Sequence, residues 1–482
     1  MAAAPARKPQ PKPPIVTTIG SIEPATQAVR ARFESHSTAD IAAAIAHADA
    51  AFRTWREVSI AERAIPMRAL AGILRERKDR YARLITTEMG KPITEALAEI
   101  EKCAWTCDFY AEHAAAFLAD EPVETNARAS FVAFEPLGVV LAVMPWNYPF
   151  WQVIRFLAPA LMAGNAALLK HASNVPQCAL AIEEVVRDAG FPIGLLRTLL
   201  LSGADVEPVI ADDRVRAVTL TGSTATGARI ADLAGRAVKK AVLELGGSDP
   251  FIVLRDADLG AAAETAAKAR FQNAGQSCIA AKRFLVEEGV AADFERRLAD
   301  AIRALRVGDP LDPATQVGPL AREDLRDTLE RQVAESVRMG ARVVVGGRRR
   351  DGAGWFYEPT LLADVTEDMP VLKEETFGPV AALLRVRDAD EAVRVANSSP
   401  YGLGAALWTS DEAAARAIAR RIESGSVFIN GMVASDPRLP FGGVKKSGYG
   451  RELSTYGIRE FVNIQTIWIG PAKQPPTVAR AE

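Results

Sequence analysis

Apolar residues recur every three to four positions through the segment 39–120, as in DIAAAIAHADAAF, RALAGILRERKDRYARLI and EALAEIEKCAWTCDFYAEHAAAFL. This spacing puts the apolar side chains on one face of a helix, so the segment predicts a helical region. Gly90 follows LITTEM. Because glycine readily adopts the left-handed conformation that ends a helix, it predicts a helix terminus.

The pattern changes near residue 121. VETNARASFVAFEP has no helical period and predicts one or two strands outside the main core. Residues 137–246 then alternate apolar runs with helical stretches; the runs are GVVLAVM, AALLK, RTLLL, RAVTLTG and KAVLEL, and the helices are expected at 150–163, 177–189, 204–211 and 224–235. Fully apolar strands that alternate with helices predict a doubly wound parallel sheet, which binds ligands beyond the carboxyl ends of its strands.

A second alternating region extends from 249 to about 429 and contains PFIVL, KRFLVEE, ARVVVGG, PVAALLRV and GSVFIN. The sequence therefore predicts an α/β protein with two doubly wound parallel-sheet domains. The late segment EFVNIQTIWIG alternates polar and apolar strand formers. It predicts an edge strand that is able to complete a subunit contact.

Length and charge narrow the class of protein. The chain has 482 residues, more than one ordinary core holds, and its formal net charge of −2 provides no field for nucleic acid. No apolar run approaches the ~20 residues of a spanning helix, so no membrane partner is expected. The first 14 residues contain five prolines and no apolar signal region. Residues 1–18 are predicted to be a disordered tail.

Four cysteines, Cys103, Cys107, Cys178 and Cys278, are too few for a disulfide framework in so long a chain. Cys103 and Cys107 stand on a helical stretch without a nearby second ligand pair, so they are interpreted as structural thiols. The four histidines are scattered. These observations predict a cytoplasmic protein that holds no metal.

Three residues in turn-forming contexts beside apolar runs carry possible chemistry: Cys278 in FQNAGQSCIAAKRF, Glu244 in VLELGGSDPFIVL and Asn147 in VMPWNYPFWQ. Such a thiol is able to be both exposed and activated. A carboxylate buried at a strand end would have a raised pKa that suits general-base work. A fixed amide is able to donate to an oxyanion. Taken singly, each residue is more often structural: a buried cysteine, a locally paired glutamate and a turn asparagine.

The segment VTLTGSTATGARIA predicts a strand that ends at Thr221 and a helix that begins just after Gly222. Backbone amides and the helix dipole at such a junction are able to hold a diphosphate. The spacing is neither the GxGxxG fingerprint nor a phosphate-binding loop ending in Lys-Ser/Thr, so the motif is weak by itself.

Six segments appear in a fixed order: MPWNYP, LTGSTATG, LELGGSDP, FQNAGQSC, EETFGPV and PFGGVKKSGYGRE. Together they resemble the aldehyde dehydrogenase superfamily over about residues 20–470. The resemblance implies that family's fold with a small β oligomerisation element, and a homodimer or homotetramer. It divides the chain into a cofactor-binding domain at 19–121 and 137–246, a catalytic domain at 247–446, and the oligomerisation element at 122–136 and 455–472.

The resemblance also implies roles for the three candidate residues. Cys278 would attack the aldehyde carbon, and the Asn147 amide with the Cys278 backbone N–H would form the oxyanion hole. Hydride would leave for the nicotinamide. Glu244 would activate the water that hydrolyses the thioester and would help to deprotonate Cys278. A thiol nucleophile divides the reaction into an oxidation step and a hydrolysis step, each of which is easier than the combined reaction.

The same resemblance implies a binding site for NAD or NADP. Its residues would be Trp146, Lys170, Ser173, Gly222, Ser223, Gly227, Leu245, Glu375 and Phe377. Lys170 matches the residue at the adenosine ribose, Ser223 the diphosphate site, and Glu375 with Phe377 the nicotinamide. The family often has Glu where this chain has Ser173, and that Glu repels a 2′-phosphate. We therefore expect NADP to be accepted as well as NAD.

Within the superfamily the chain looks most like bacterial succinate-semialdehyde dehydrogenases. Arg155, on the helix after Asn147, would bind a distal carboxylate in a charge-assisted pair, with help from the Ser435 hydroxyl. Enzymes of another branch have a second Arg where this chain has Gln272, so Arg438 is a candidate substitute. Glutarate semialdehyde is an alternative substrate. Arg155 is alternatively a solvated or salt-bridged helix residue without a role in substrate binding.

Three rival functions fit parts of the sequence. A CoA-acylating relative would release the thioester to CoA, but that branch commonly lacks the base at Glu244. A catalytically idle binding protein would be expected to have lost Cys278, Glu244 or Asn147, and all three are present. A thiol esterase would use Cys278 without a cofactor. Ala280 also excludes the regulatory disulfide that some relatives form two positions after the nucleophile.

Overall fold

A computed structural model describes residues 18–470, and the predicted tail up to residue 17 lies outside them. Two N-terminal helices each begin with a capping box, formed by Ser37 with Asp40 and by Ser59 with Glu62. The helices are α1 Thr38–Trp55, α2 Ile60–Glu76, α3 Lys78–Met89, α4 Ile93–Phe117, α5 Trp151–Met162, α6 Pro176–Asp188, α7 Val206–Ala211, α8 Thr224–Arg236, α9 Leu259–Phe271, α10 Glu288–Arg303, α11 Glu323–Arg338, α12 Pro370–Lys373, α13 Ala389–Asn397, α14 Glu412–Ala419 and α15 Ser454–Ile458.

The strands of the described residues form two large sheets and three small ones. They are β1 Thr18–Ile22, β2 Val29–Glu34, β3 Glu121–Pro122, β4 Ala129–Pro136, β5 Val139–Met144, β6 Ala166–His171, β7 Leu196–Thr198, β8 Val215–Thr221, β9 Lys240–Glu244, β10 Asp249–Val253, β11 Ala281–Glu287, β12 Arg342–Val345, β13 Thr360–Ala363, β14 Val380–Val386, β15 Tyr401–Gly402, β16 Gly404–Trp408, β17 Ser426–Ile429, β18 Val444–Lys445, β19 Gly448–Tyr449 and β20 Val462–Ile469.

The first large sheet has six strands in the order β19-β9-β8-β5-β6-β7, all parallel except β19. Every residue of β5 and β6 is buried, which explains why these runs show no polar alternation. Thr221 of β8 and Gly448 of β19 both stand opposite Glu244 of β9. The last residue of β9 is therefore enclosed on both sides at the carboxyl edge of the sheet.

The second large sheet has seven strands in the order β12-β13-β14-β11-β10-β16-β17. All its neighbours pair in parallel except β12 with β13. Helices with alanine-rich inner faces cover it, such as α9, whose Ala262, Ala263 and Ala266 are buried. The predicted α/β class with two doubly wound sheets is confirmed.

A third sheet combines the strand segment after residue 121 with the late strand, in the order β20-β4-β3. The eight residues of β20 pair antiparallel with β4 from Val462↔Pro136 to Ile469↔Ala129. Ile464 and Trp468 of β20 are 64% and 50% exposed. The late strand therefore stands at a sheet edge with apolar side chains facing solvent.

Most elements follow the sequence pattern, with one shortened strand. Gly90 ends α3 in the left-handed conformation with φ of 84°, which confirms the predicted helix terminus. RTLLL was expected as one strand, but β7 ends at Thr198, where the Thr198 backbone N–H bonds to the Glu183 side chain. No helix among residues 18–470 is long and apolar enough to cross a membrane.

Candidate active site

A cavity of about 720 Å³ lies between helices α4, α5 and α9 and the loop that follows β17. Cys278 is part of its wall, and so are Tyr148, Trp151 and Phe441. An aromatic and aliphatic wall with a few polar groups is typical of a small-molecule site. The cavity therefore gives a small substrate access to the thiol.

The turn that presents Cys278 depends on an unusual backbone after α9. Asn273 and Ala274 have positive φ angles of 55° and 51°, and Gly275 follows at 72°. A Cβ at Gly275 would lie 2.3 Å from the carbonyl oxygen of Gly378, so only glycine fits there. The chain then passes Cys278 and enters β11 at Ala281.

Asn147 is bonded directly to the segment that carries the nucleophile. The Nδ2 of Asn147 donates to the backbone carbonyl of Gln276 at 3.0 Å. The Nδ2 of Asn273 donates to the backbone carbonyl of Asn147 at 2.8 Å. Asn147 is 4% exposed. These bonds hold the Asn147 amide beside the turn of Cys278.

Glu244 ends β9 with both carboxylate oxygens buried and without a hydrogen-bond partner among the described residues. Its carbonyl accepts from the Gly222 backbone N–H at 2.9 Å, which joins it to the end of β8. Burial raises the pKa of Glu244 to about 8, the charge of Arg155 opposes this rise, and the charge of Glu452 adds to it. A carboxylate in this state is suited to accept a proton near neutral pH.

The thiol of Cys278 is protonated in this environment. Burial raises its pKa to about 12, while the positive charges of Arg155 and Lys282 act in the opposite direction and the charge of Glu244 raises it further. The thiolate is the nucleophilic form, so a base must remove this proton. Glu244 is one of the charged groups that act on this thiol, which makes it a candidate for that base.

Lys282 lies beneath the nucleophile turn and is fully buried. Its Nζ donates to the carbonyls of Ser277 at 2.9 Å and Cys278 at 2.8 Å, and lies 3.7 Å from Oε1 of Glu375. One ammonium thus connects the turn of Cys278 to Glu375. No local pattern indicated a role for Lys282, although it follows Cys278 by four residues in the same segment.

Arg155 reaches the cavity wall, but its charge is already matched. It forms an ion pair with Glu452, and the two side chains are 2% and 3% exposed. Its guanidinium also donates to Thr221 Oγ1 at 3.3 Å and lies 4.7 Å from the ring centroid of Phe441. Glu452 belongs to the segment PFGGVKKSGYGRE, but nothing in its local sequence indicated this partner.

The remaining predicted substrate residues have different surroundings. Gln272 and Ser435 both line the cavity, and Ser435 Oγ accepts a hydrogen bond from Lys102 Nζ at 2.7 Å. Arg438 is exposed and paired with Asp436 at 2.6 Å, and it is not part of the cavity wall. Of these positions, only Gln272 and Ser435 face the space beside Cys278.

A group of predicted cofactor residues meets at the carboxyl edge of the first large sheet. Lys170 near the end of β6 is 8% exposed and forms no ion pair with any described residue. Ser173 is exposed in the short link from β6 to α6. Ser223 caps α8 and accepts from the Thr226 backbone N–H. A buried ammonium without an anion, at the sheet edge where α8 also begins, fits a phosphorylated nucleotide.

The other predicted cofactor residues lie between this edge and Cys278. Gly227 allows Leu245 to pack against α8, since a Cβ there would lie 2.4 Å from Leu245 Cδ2. Trp146 and Phe377 form a T-shaped pair with centroids 5.7 Å apart. Glu375 accepts from the Gly247 backbone N–H at 3.0 Å, and burial raises the pKa of its carboxyl group.

Three comparisons agree with this architecture. Residues 13–467 match the model of the aldehyde dehydrogenase family. The chain is 52% identical over 451 residues to a Synechocystis protein named probable succinate-semialdehyde dehydrogenase (NADP+), covering 94% of this chain and 99% of that protein. It is 51% identical over 454 residues to the succinate-semialdehyde dehydrogenase (NADP+) 1 of Mycobacterium tuberculosis, with coverage of 94% and 99%.

A solved structure shows the same fold. The succinic semialdehyde dehydrogenase of Streptococcus pyogenes, in complex with NADP+, superimposes with a TM-score of 0.92 at 40% identity, covering 94% of this chain and 100% of that one. Both relatives and this structure are named for the oxidation of an aldehyde. The chain belongs to the aldehyde dehydrogenase family.

Proposed function

We propose that this protein oxidises succinate semialdehyde to succinate through a thioester on Cys278, with NADP+ or NAD+ as the hydride acceptor. The observation that carries the proposal is a single cavity whose wall contains the Cys278 thiol, basic side chains and the Ser435 hydroxyl. A basic side chain and a hydroxyl suit a carboxylate at the far end of a short aldehyde. The names of the Synechocystis and Mycobacterium tuberculosis relatives support the same substrate.

The chain's own residues account for the first half of the reaction. Glu244 removes the Cys278 proton, and the sulfur attacks the aldehyde carbon to give a hemithioacetal. The negative charge that develops on the substrate oxygen is stabilised by the Asn147 amide and the Cys278 backbone N–H. Donors fixed in advance of the reaction are effective because they need no reorganisation as the charge forms.

The second half depends on the same carboxylate. A nicotinamide held by Glu375 and Phe377 would supply the hydride acceptor for the hemithioacetal, and loss of the hydride would leave a thioester on Cys278. Glu244 releases the proton from Cys278 to solvent and then takes a proton from a water molecule, and the resulting hydroxide attacks the thioester carbonyl. The C–S bond breaks, succinate leaves and Cys278 regains its proton.

We assign the cofactor to the carboxyl edge of the first large sheet. Lys170 would bind the adenosine ribose and its phosphate, Ser223 and the start of α8 the diphosphate, and Glu375 with Phe377 the nicotinamide end. Ser173 carries no charge, so it does not repel the 2′-phosphate of NADP+. NADP+ in the Streptococcus pyogenes structure supports this assignment.

We also propose that the chain forms a homodimer or homotetramer through the sheet β20-β4-β3. The outer face of β20 exposes Ile464 and Trp468. Unpaired edge strands with apolar side chains are expected to be covered in the assembled protein.

Steady-state kinetics on the purified protein tests the proposed reaction. We expect kcat/KM to be highest with succinate semialdehyde, lower with glutarate semialdehyde and lowest with uncharged butanal. Formation of reduced cofactor should disappear in Cys278→Ser. A preference for butanal, or release of acid without cofactor reduction, would reject the proposal and favour a general aldehyde oxidiser or an esterase.

A further inference from the structure

The charge balance of the cavity leaves the substrate's carboxylate without the partner that the sequence suggested. Arg155 is committed to Glu452, and both side chains are buried. In a region of low dielectric constant this ion pair is close to neutral as a unit. The substrate's carboxylate is therefore attracted much less strongly by this pair than it would be by an unpaired guanidinium.

Lys102 provides a cation whose charge is not matched in this way. It stands on α4 and lines the same cavity as Cys278. Its Nζ donates to Ser435 Oγ at 2.7 Å and lies 4.2 Å from the ring centroid of Trp151. Among residues 18–470, no carboxylate lies within ion-pair distance of this ammonium.

We propose that Lys102 binds the distal carboxylate of the substrate, with the Ser435 hydroxyl as a second donor. This inference rests on the proposed function and names the group that selects carboxylated aldehydes. An ammonium has three donors, so Lys102 keeps its bond to Ser435 while it donates to the substrate. The hydroxyl that accepts from Lys102 is then free to turn its own proton toward the same carboxylate.

Other cations near the cavity are less suitable. Lys268 lines the cavity but is exposed, so water weakens its attraction for an anion. Arg438 lies outside the wall and is paired with Asp436. Lys102 combines access to the cavity with partial burial, which strengthens a charge-assisted hydrogen bond.

The first test compares Lys102→Met with Arg438→Met on two aldehydes of similar length, succinate semialdehyde and butanal. Methionine retains the length and apolar stem of lysine, so packing on Trp151 is preserved. For Lys102→Met we expect kcat/KM for succinate semialdehyde to fall roughly 10- to 100-fold, mainly through KM, and that for butanal to change less than about threefold. Arg438→Met should change neither.

The outcomes separate this inference from the proposed function. Equal losses on both aldehydes in Lys102→Met would overturn the role of Lys102, even if the wild-type protein prefers succinate semialdehyde. A wild-type preference for butanal would instead reject the proposed substrate. Lys102→Arg supplies a variant that keeps the charge, and it should recover much of the lost kcat/KM for succinate semialdehyde while leaving butanal unaffected.

A second test needs no substitution. Burial lowers the pKa of Lys102 to about 8 and the Arg155 charge lowers it further, while Cys103, Asp436 and Glu99 oppose the shift. The ammonium is therefore present below this pH and lost above it. The ratio of kcat/KM for succinate semialdehyde to that for butanal should fall as pH rises through about 8. A constant ratio would contradict the proposal, since the titration of Glu244 affects both aldehydes.

Discussion

The guanidinium of Arg155 and the carboxylate of Glu452 form an ion pair that is almost fully buried in the wall of the cavity containing Cys278. Arg155 also lowers the pKa of Glu244, whereas the charge of Glu452 raises it. The pair therefore affects two properties of the site. Each charge offsets the cost of burying the other, and the pair influences the proton affinity of the proposed base.

Removing one partner of this pair should destabilise the protein strongly. Glu452→Gln leaves the Arg155 charge buried without its counterion, and we expect a loss of about 3–5 kcal/mol in unfolding free energy. Urea unfolding followed by tryptophan fluorescence measures it. The double substitution Arg155→Met with Glu452→Leu removes both charges and should regain most of the loss. If the double variant were as unstable as Glu452→Gln, packing rather than charge would be responsible.

The pH dependence of turnover should report Glu244. Its pKa is raised to about 8 by burial, and only the ionised form accepts a proton from water. The rate of thioester hydrolysis, measured after the first turnover by stopped flow, should therefore increase as pH rises through about 8. Glu244→Gln should lower this rate by roughly 100-fold or more and abolish the titration.

Two variants check that this titration belongs to Glu244. Asp249→Asn removes another buried carboxyl group, whose pKa burial raises to about 7, and the titration of hydrolysis should remain. Glu452→Gln should move it to lower pH, because the negative charge that raises the pKa of Glu244 is lost. A titration that is unchanged in Glu244→Gln would assign it to another group.

Cofactor preference should depend on Ser173. Ser173→Glu introduces a carboxylate into the link after β6, three residues beyond Lys170. Its charge repels a 2′-phosphate and accepts hydrogen bonds from a 2′-hydroxyl. The ratio of kcat/KM for NADP+ to that for NAD+ should fall by about 10-fold or more, a difference of roughly 1.4 kcal/mol. Ser173→Gln has similar size without the charge, and a comparable fall in that variant would indicate a steric effect.

The exposed edge at β20 should determine the assembly state. Charged residues in place of Ile464 and Trp468, as in the double variant Ile464→Asp with Trp468→Asp, make burial of this strand costly. Light scattering coupled to size exclusion should show a smaller species than the wild-type protein. Val238→Asp, at a position that is 93% exposed and far along the chain from β20, serves as the control. An unchanged mass in the double variant would exclude this surface as the contact.

Local patterns were sufficient to predict the α/β class, the order of its elements and the residues with reactive groups. Apolar runs of β5 and β6 are buried throughout, as their lack of polar alternation predicted. Gly90 ends α3 as predicted, because glycine adopts the positive φ that this helix terminus requires. The early end of β7 was missed, because RTLLL ends in a run of leucines and its local pattern does not mark where pairing with β6 stops.

The sequence by itself determined which chemistry is present: a thiol, an amide and a carboxylate, each at a strand end or turn that local residue order defines. The tertiary structure alone decided which charges face each other. Arg155 has Glu452 as its partner, and Lys102 has Ser435. Both pairs join residues that are distant in the chain, and electrostatic attraction depends on separation in space, which no local pattern encodes.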